Sequence, residues 1–297
     1  MVGNALVLGF MRGLARWPLW GVRALGWVLG HALYALVPAR RRVVWVNLGL
    51  CFPDWTPAER QQWARRCFVA FAQAWLDRSW LWHAPYEVVR QRLNWTGDLE
   101  ALTRPGGVVV FAPHFVGLDA GWTAWTMTSS AMLHTIYTPQ SNPAMDAWIV
   151  QGRQRFGHVN LCRRSDGVQT LIAALRRGER LYLLPDMDSG EDDTVFVPFF
   201  GVPAATLTSL SRFAKLGRAR VVPITTRMTA KGYEIEVHPA WTDVPSTDAL
   251  ADTALMNQRL AQWICTMPDQ YFWVHKRFKT RPAGHANVYA QPEKPIS

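Results

Sequence analysis

The sequence predicts an α/β fold: a central mixed, largely parallel sheet layered with helices, preceded by an N-terminal membrane-anchor helix. Three observations carry this reading. Short apolar, β-branched or aromatic runs recur along the chain, helix-like segments alternate with them, and the first forty residues are apolar but interrupted by arginine. With 297 residues, 49% of them hydrophobic, the chain can bury a sizeable core.

The apolar stretch 5–37 is not a clean membrane span, because Arg12, Arg16 and Arg23 interrupt it and Pro18 breaks its regularity. At about 100° per residue the three arginines would form one narrow basic stripe on a single helix. The uninterrupted run 24–37 is shorter than the roughly 20 residues of a perpendicular span, so an embedded or steeply tilted anchor is expected. Arg40, Arg41 and Arg42 follow at once and place the rest of the chain on the cytoplasmic side by the positive-inside tendency. No small-x-small cleavage site follows a single apolar core, which argues against a removed leader.

A helix is expected over 57–82. Strands are expected at 107–113, 132–138, 180–186, 219–227 and 233–239, where the sequence is short, apolar and rich in β-branched or aromatic residues. Helices are expected at 119–129, 143–156, 166–177, 206–216 and 248–267, several of them ending in basic residues or followed by Gly or Pro. No internal repeat or low-complexity tract appears. Residues 1–42 read as the anchor, 43–284 as one domain and 285–297 as a loosely held tail.

Lysine and arginine outnumber aspartate and glutamate by 32 to 22, and a pI near 9.9 favours an anionic partner. Sixteen tryptophans suit the boundary between lipid and water and tilt the choice towards a membrane. No nucleic-acid module is present. Cys51, Cys67, Cys162 and Cys265 are scattered without a CxxC pair, which indicates neither a zinc site nor a disulfide framework.

The segment APHFVGLD, 112–119, holds the candidate chemistry. A buried strand ending in Ala-Pro-His delivers an imidazole to the C-terminal edge of the sheet, where open α/β folds place ligands. If His114 precedes the helix and folds back over its first turn, Asp119 can accept the Nδ1 proton and leave Nε2 free as a base. Backbone N–H groups at that helix start are candidates to stabilise an oxyanion. The same spacing also suits a histidine bonded in a turn and an aspartate capping a helix.

His114-Phe-Val-Gly-Leu-Asp119, LPDMDSG followed by VFVPFFGVPAAT, the VVPITTR strand and DQYFWVHKRFKTRPAG together resemble the late acyltransferases of lipid A biosynthesis. These are the lauroyl and myristoyl transferases of Gram-negative bacteria, within the wider H-x4-D glycerolipid acyltransferases. The resemblance runs from about residue 43 to residue 284. It implies transfer of a fatty acyl group from acyl carrier protein to a hydroxyl of a 3-hydroxyacyl chain on a lipid A precursor, without metal or cofactor. It also implies His114 as general base with Asp119 supporting it. Arg153 and Arg164 become acceptor contacts, suited to phosphate by their bidentate donors. Asp186 takes the place of the acidic third motif and Gly190 allows the tight turn after it, both standing with the two arginines as substrate-binding residues, and Pro223 takes a shaping role in the fourth. The basic run His275, Lys276, Arg277, Lys279 and Arg281 suits an anionic sugar, lipid phosphate or the carrier protein, and equally a solvated face. Where the family often carries a glutamate before the PDQY segment, this sequence has Ala261, Gln262 and Trp263, which weakens any assignment on that helix.

Other readings stay open at this level. The acceptor could be another lysolipid. Asp186 and Asp188 with Glu191, Asp192 and Asp193 could hold a metal, as in a DxD glycosyltransferase, although no Gly-rich phosphate loop accompanies them. A non-catalytic binder of membrane or nucleic acid would leave the ordered polar motifs unexplained.

Overall fold

The four residues Val108–Phe111 are fully buried, as a continuous apolar run must be when both faces of its strand are covered. In the computed structural model, which describes residues 2–163, 167–190 and 194–290, this run is the centre of a seven-stranded mixed sheet. The chain passes through α1 (Val2–Leu14), α2 (Leu19–Leu36), α3 (Pro38–Cys51), α4 (Pro57–His83), α5 (Tyr86–Gln91), β1 (Leu93–Gly97), α6 (Glu100–Thr103) and β2 (Val108–Phe111). It continues through α7 (Leu118–Thr128), β3 (Met132–Tyr137), α8 (Pro143–Arg153), β4 (His158–Arg163), α9 (Gln169–Arg176) and β5 (Arg180–Leu183). Then come β6 (Thr194–Phe199), β7 (Val202–Leu207), α10 (Ser209–Gly217), β8 (Arg220–Thr229), β9 (Gly232–Val237) and α11 (Ala249–Thr266), with a 3-10 turn at Pro268–Gln270.

The strand order is β1-β9-β8-β2-β5-β3-β4. Five neighbouring strands run parallel, and the β8–β9 hairpin reverses direction so that β1 and β9 oppose them. Side chains alternate across the sheet. Val109 and Phe111 enter the layer built with α3, α9, α10 and α11, while Val108 and Val110 enter the layer with α1, α2, α7 and the second half of α4. The expected strands and helices are present, and further elements join them, among them α3, α5 and α6. β1 and β4 are edge strands with half-polar sequences, and VFVPFFGVPAAT forms a separate β6–β7 hairpin. The hairpin turns through Phe200 and Gly201, both at positive φ (51° and 76°), the left-handed pair a two-residue turn needs.

Helix α4 starts with a capping box: Thr56 Oγ1 accepts from Glu59 N at 3.3 Å and Glu59 accepts from Thr56 N at 2.8 Å. It forms the spine on which the N-terminal helices lie. Gly26 and Gly30 of α2 let the two backbones touch, since a Cβ on Gly30 would lie 2.5 Å from Val69 Cα. Arg23 of α2 reaches the fully buried Asp77 at 2.8 Å, and Gln73 Nε2 donates to Arg23 O at 2.9 Å.

These contacts revise the reading of residues 1–42. The chain breaks between α1 and α2 at residues 15–18, so Arg12, Arg16 and Arg23 do not share one helical stripe, and Arg23 turns inward. The boundary placed at 42/43 falls inside α3, and α2 is packed into the domain. Among the described residues no single helix is long and apolar enough to cross a membrane; α2 and α3 together meet the length and composition but are bent by 93°. At the other end, the tail is docked beyond 284. Tyr289 is buried, its hydroxyl donates to Asn47 Oδ1 at 2.5 Å and accepts from Phe278 N at 3.1 Å. An aromatic ring and a satisfied hydroxyl fix the segment. Residues 291–297 lie outside the described residues.

Candidate active site

His114 and Asp186 meet because β2 and β5 are adjacent, parallel and in register. Phe111 pairs with Leu183 at the ends of the two strands, and His114 and Asp186 each lie three residues farther on. The imidazole Nδ1 stands 2.8 Å from Asp186 Oδ1, and the His114 backbone N–H donates to Oδ2 at 3.0 Å. Tyr271 donates its hydroxyl to the same Oδ2 at 3.0 Å. Asp186 is fully buried, whereas the His114 side chain keeps 23% of its surface.

The C-terminal segment seals this corner. Phe272 N donates to His114 O at 3.0 Å, Val116 N to Gln270 O at 2.7 Å, and the Phe272 ring stacks against the imidazole at 6.3 Å. His114 opens onto a cleft of about 590 Å³ whose walls include Leu118, Trp122, Ile136, Leu171, Ile172 and Phe213, with Arg153 and Asp119 on its border. A mainly apolar cleft with a few convergent polar groups suits a long hydrocarbon chain ending at a polar reactive group.

Asp119 is placed differently from the sequence expectation. It lies in the first turn of α7, buried, and its two oxygens accept from Arg78 Nε at 2.8 Å and Arg153 Nε at 2.9 Å. The carboxylate that receives the His114 ring is Asp186, because five residues from strand end into helix carry Asp119 round to face α4 and α8. Asp186 in turn is not open to a substrate, being enclosed by His114 and Tyr271. The helix-start donors are also largely engaged, Val116 N with Gln270 O and Leu118 N with Phe115 O at 3.0 Å.

The family model of bacterial lipid A biosynthesis acyltransferases matches residues 1–280. The chain belongs to the bacterial lipid A biosynthesis acyltransferases. It is 32% identical to the lipid A biosynthesis lauroyltransferase of Escherichia coli (strain K12) over 276 residues, 89% of this chain and 87% of that one. It is also 32% identical to the lipid A biosynthesis myristoyltransferase of the same organism, over 89% of this chain and 83% of that one. A lipid A biosynthesis acyltransferase of Haemophilus influenzae matches at 32% over 88% of this chain and 81% of its own. The solved 1-acyl-sn-glycerophosphate acyltransferase of Thermotoga maritima superposes over 82% of this chain and 98% of its own with a TM-score of 0.37 at 13% identity.

The remaining motifs of this acyltransferase divide between site and scaffold. Asp188 faces away from Asp186: its carboxylate accepts from Thr280 N at 2.6 Å, Thr280 Oγ1 at 2.9 Å and Gly190 N at 3.1 Å. The two acids therefore do not converge as a DxD metal pair would; Glu191, Asp192 and Asp193 lie outside the described residues. Gly190 holds φ at 110°, the tight turn expected of it. Pro223 sits in β8 opposite Phe111. Arg164 lies outside the described residues. In the basic run, Arg277 is buried and donates to Ala205 O and Thr206 Oγ1, both at 2.7 Å, and Arg281 donates to Pro203 O at 2.7 Å. His275 Nε2 lies 3.2 Å from Asp188 O, which leaves Lys276 and Lys279 as the exposed members. The run staples the C-terminal segment to the β6–β7 hairpin. Arg78 and Tyr271 were missed as site residues because they reach the site from sequence-distant elements.

The buried carboxyls show how charge count decides protonation. Burial pushes Asp77 up, and Arg23 with the hydroxyl of Tyr233 and the indole N–H of Trp80 only partly reverses it, so it remains above the usual range. Burial pushes Asp119 up as well, yet the guanidinium groups of Arg153 and Arg78 prevail and hold it at about 2. Burial likewise opposes ionisation of Asp186, and the His114 ring and backbone N–H bring it below the usual range. A depressed folded-state value stabilises the fold above the unfolded carboxyl range and loses that contribution as pH falls. Asp119 is thus expected to contribute about 2 kcal/mol at neutral pH, lost between about pH 4 and pH 2. Acid unfolding followed by circular dichroism checks this: Asp119→Asn should lower neutral stability and flatten that part of the curve, and an unchanged slope would contradict it.

Proposed function

We propose that this enzyme transfers a fatty acyl group from acyl carrier protein to the free hydroxyl of a 3-hydroxyacyl chain on a Kdo-lipid A precursor, at the cytoplasmic face of the bacterial inner membrane. The observation that carries the reading is a histidine whose Nδ1 is engaged by a buried carboxylate and whose other edge opens onto an apolar cleft. Nε2 takes the acceptor's hydroxyl proton as its oxygen attacks the thioester carbonyl carbon. The tetrahedral intermediate expels the phosphopantetheine thiolate, the new C–O bond replaces the C–S bond, and the imidazolium returns the proton to sulfur. No acyl-enzyme is required, and no GxSxG elbow occurs in the chain. The apolar cleft wall would hold the acyl chain and Arg153 at its border a phosphate of the acceptor.

The outer face of α1, α2 and the turn between them supports a membrane seat. Phe10, Trp17, Trp20, Trp27 and Leu36 are all exposed, with Trp20 at 76%, and the exposed Arg12 and Arg16 flank them. Indoles suit the lipid–water boundary, and each basic side chain near an anionic surface adds roughly 1 kcal/mol. Replacing Trp20 and Trp27 together by glutamate is expected to move the protein from the membrane pellet into the soluble fraction with its fold intact; unchanged sedimentation would remove this seat.

Incubation of purified enzyme with acyl carrier proteins bearing chains of graded length and a Kdo-lipid A precursor tests the activity. The expected product is heavier by one acyl group by mass spectrometry, with the preferred length read from the mass and no effect of EDTA. Absence of any mass gain, or transfer only to lysophospholipid, would overturn the reading.

A further inference from the structure

We propose that Asp186, not the aspartate of the H-x4-D segment, is the positioning residue for His114, and that Asp119 instead holds Arg153 and Arg78 at the side of the cleft. The inference rests on the reading of His114 as the base. Asp186 meets every geometric requirement of an orienting carboxylate: it binds both Nδ1 and the backbone N–H of the same histidine, at 2.8 and 3.0 Å, and is locked by Tyr271 at 3.0 Å. With one oxygen on the ring and the other on two fixed donors, the carboxylate cannot swing. The imidazole is confined to the tautomer that carries its proton on Nδ1, and Nε2 is the acceptor.

Asp119 has no such freedom to serve. Each of its oxygens receives a guanidinium Nε, from Arg78 of α4 and Arg153 of α8, so one carboxylate fixes two cations drawn from separate helices. Arg153 is further set by Trp122, whose indole N–H donates to its carbonyl at 2.8 Å. The spacing between His114 and Asp119 thus serves two neighbouring stations, a proton acceptor and an arginine pair for an anionic group. The charged groups around the imidazole are Asp186 beyond β5, His275 and Arg277 on the C-terminal segment, and the Asp119–Arg153–Arg78 set across α7, α8 and α4. His275 is engaged with Asp188 O and Arg277 with the β6–β7 hairpin, so Asp186 is the anion in direct contact with the ring.

Steady-state kinetics of Asp186→Asn, Asp119→Asn, Arg153→Gln, His114→Ala and the double variant His114→Ala/Asp186→Asn test the assignment, with melting curves to confirm folding. An asparagine in an orienting position favours the wrong tautomer and lowers kcat by about 10⁴ in a serine-protease triad. Asp186→Asn is expected to lower kcat by about 10³ or more with little change in KM, and to move the acidic limb of the pH–rate profile to lower pH, since the imidazolium loses its anion. The double variant should be no slower than His114→Ala alone. Asp119→Asn and Arg153→Gln should chiefly raise KM for the lipid acceptor and leave the acidic limb in place. Tyr271→Phe, which keeps the charge and removes one lock, should reproduce the Asp186 effect in reduced form even if an Asp186 variant folds poorly. If Asp119→Asn moves the acidic limb and neither Asp186→Asn nor Tyr271→Phe does, the assignment is wrong while His114 remains the base. If His114→Ala itself retains turnover, the proposed function fails first.

Discussion

His114→Ala is expected to lose acyl transfer by about 10²–10⁴-fold, the range a positioned general base contributes, equivalent to about 3–5 kcal/mol of barrier. Loss of fold is not the expected cause. The side chain is part exposed, and Asp186 keeps the backbone N–H of residue 114 and the Tyr271 hydroxyl as donors after truncation. Melting temperature and membrane association should therefore stay near those of the wild type while kcat falls. His114→Gln, which keeps a hydrogen-bonding side chain without a comparable base, should be similarly slow. A purified His114→Ala enzyme with more than a tenth of wild-type turnover would remove the histidine from the chemistry.

The largest effect on stability is expected at Asp77, far from any substrate. Its carboxylate is fully buried and accepts from Arg23 Nε at 3.2 Å, Trp80 Nε1 at 2.9 Å and Tyr233 Oη at 2.7 Å, joining α2, α4 and β9. Asp77→Ala leaves a half-buried guanidinium, an indole N–H and a phenol without their acceptor. Breaking a buried pair by removing one partner costs about 3–5 kcal/mol. For a chain of this size that corresponds to a fall in melting temperature of roughly 5–8 °C. Removing both charges should be milder: Arg23→Met with Asp77→Leu is expected to recover much of the loss, because the pair has to offset its own desolvation. Calorimetry of the two variants beside the wild type decides, and an Asp77→Ala protein that melts with the wild type would show that the α2 packing at Gly26 and Gly30 is sufficient alone.

Asp77 and Arg78 are neighbours in sequence and belong to different networks: one secures the N-terminal helices and the other binds Asp119. Trp20 and Trp27, proposed to meet the membrane, lie on α2, which Asp77 ties to α4, so α4 supports both the membrane seat and, through Arg78, Asp119 beside the cleft.

The local signals were strong where packing is two-sided. VVVF, RLYL and VVPITT read as strands because continuous apolar runs are stable only when covered on both faces, and β2, β5 and β8 are the interior of the sheet. Edge strands β1 and β4 have one pairing edge and half-polar sequences, LNWTG and HVNLCR, so no periodic signal marked them. His114 was legible from its place after a buried strand, and the family from the order of four motifs. Its partner was not legible, since Asp186 is 72 residues away and nothing local says that β2 and β5 are neighbours. The sequence by itself determined the fold class and the family, and singled out the histidine as the candidate base, because burial pattern and motif order are properties of short segments. Tertiary structure decided which carboxylate the histidine touches, where the arginines turn and how α2 is held, because strand order and register are fixed by contacts between segments far apart along the chain.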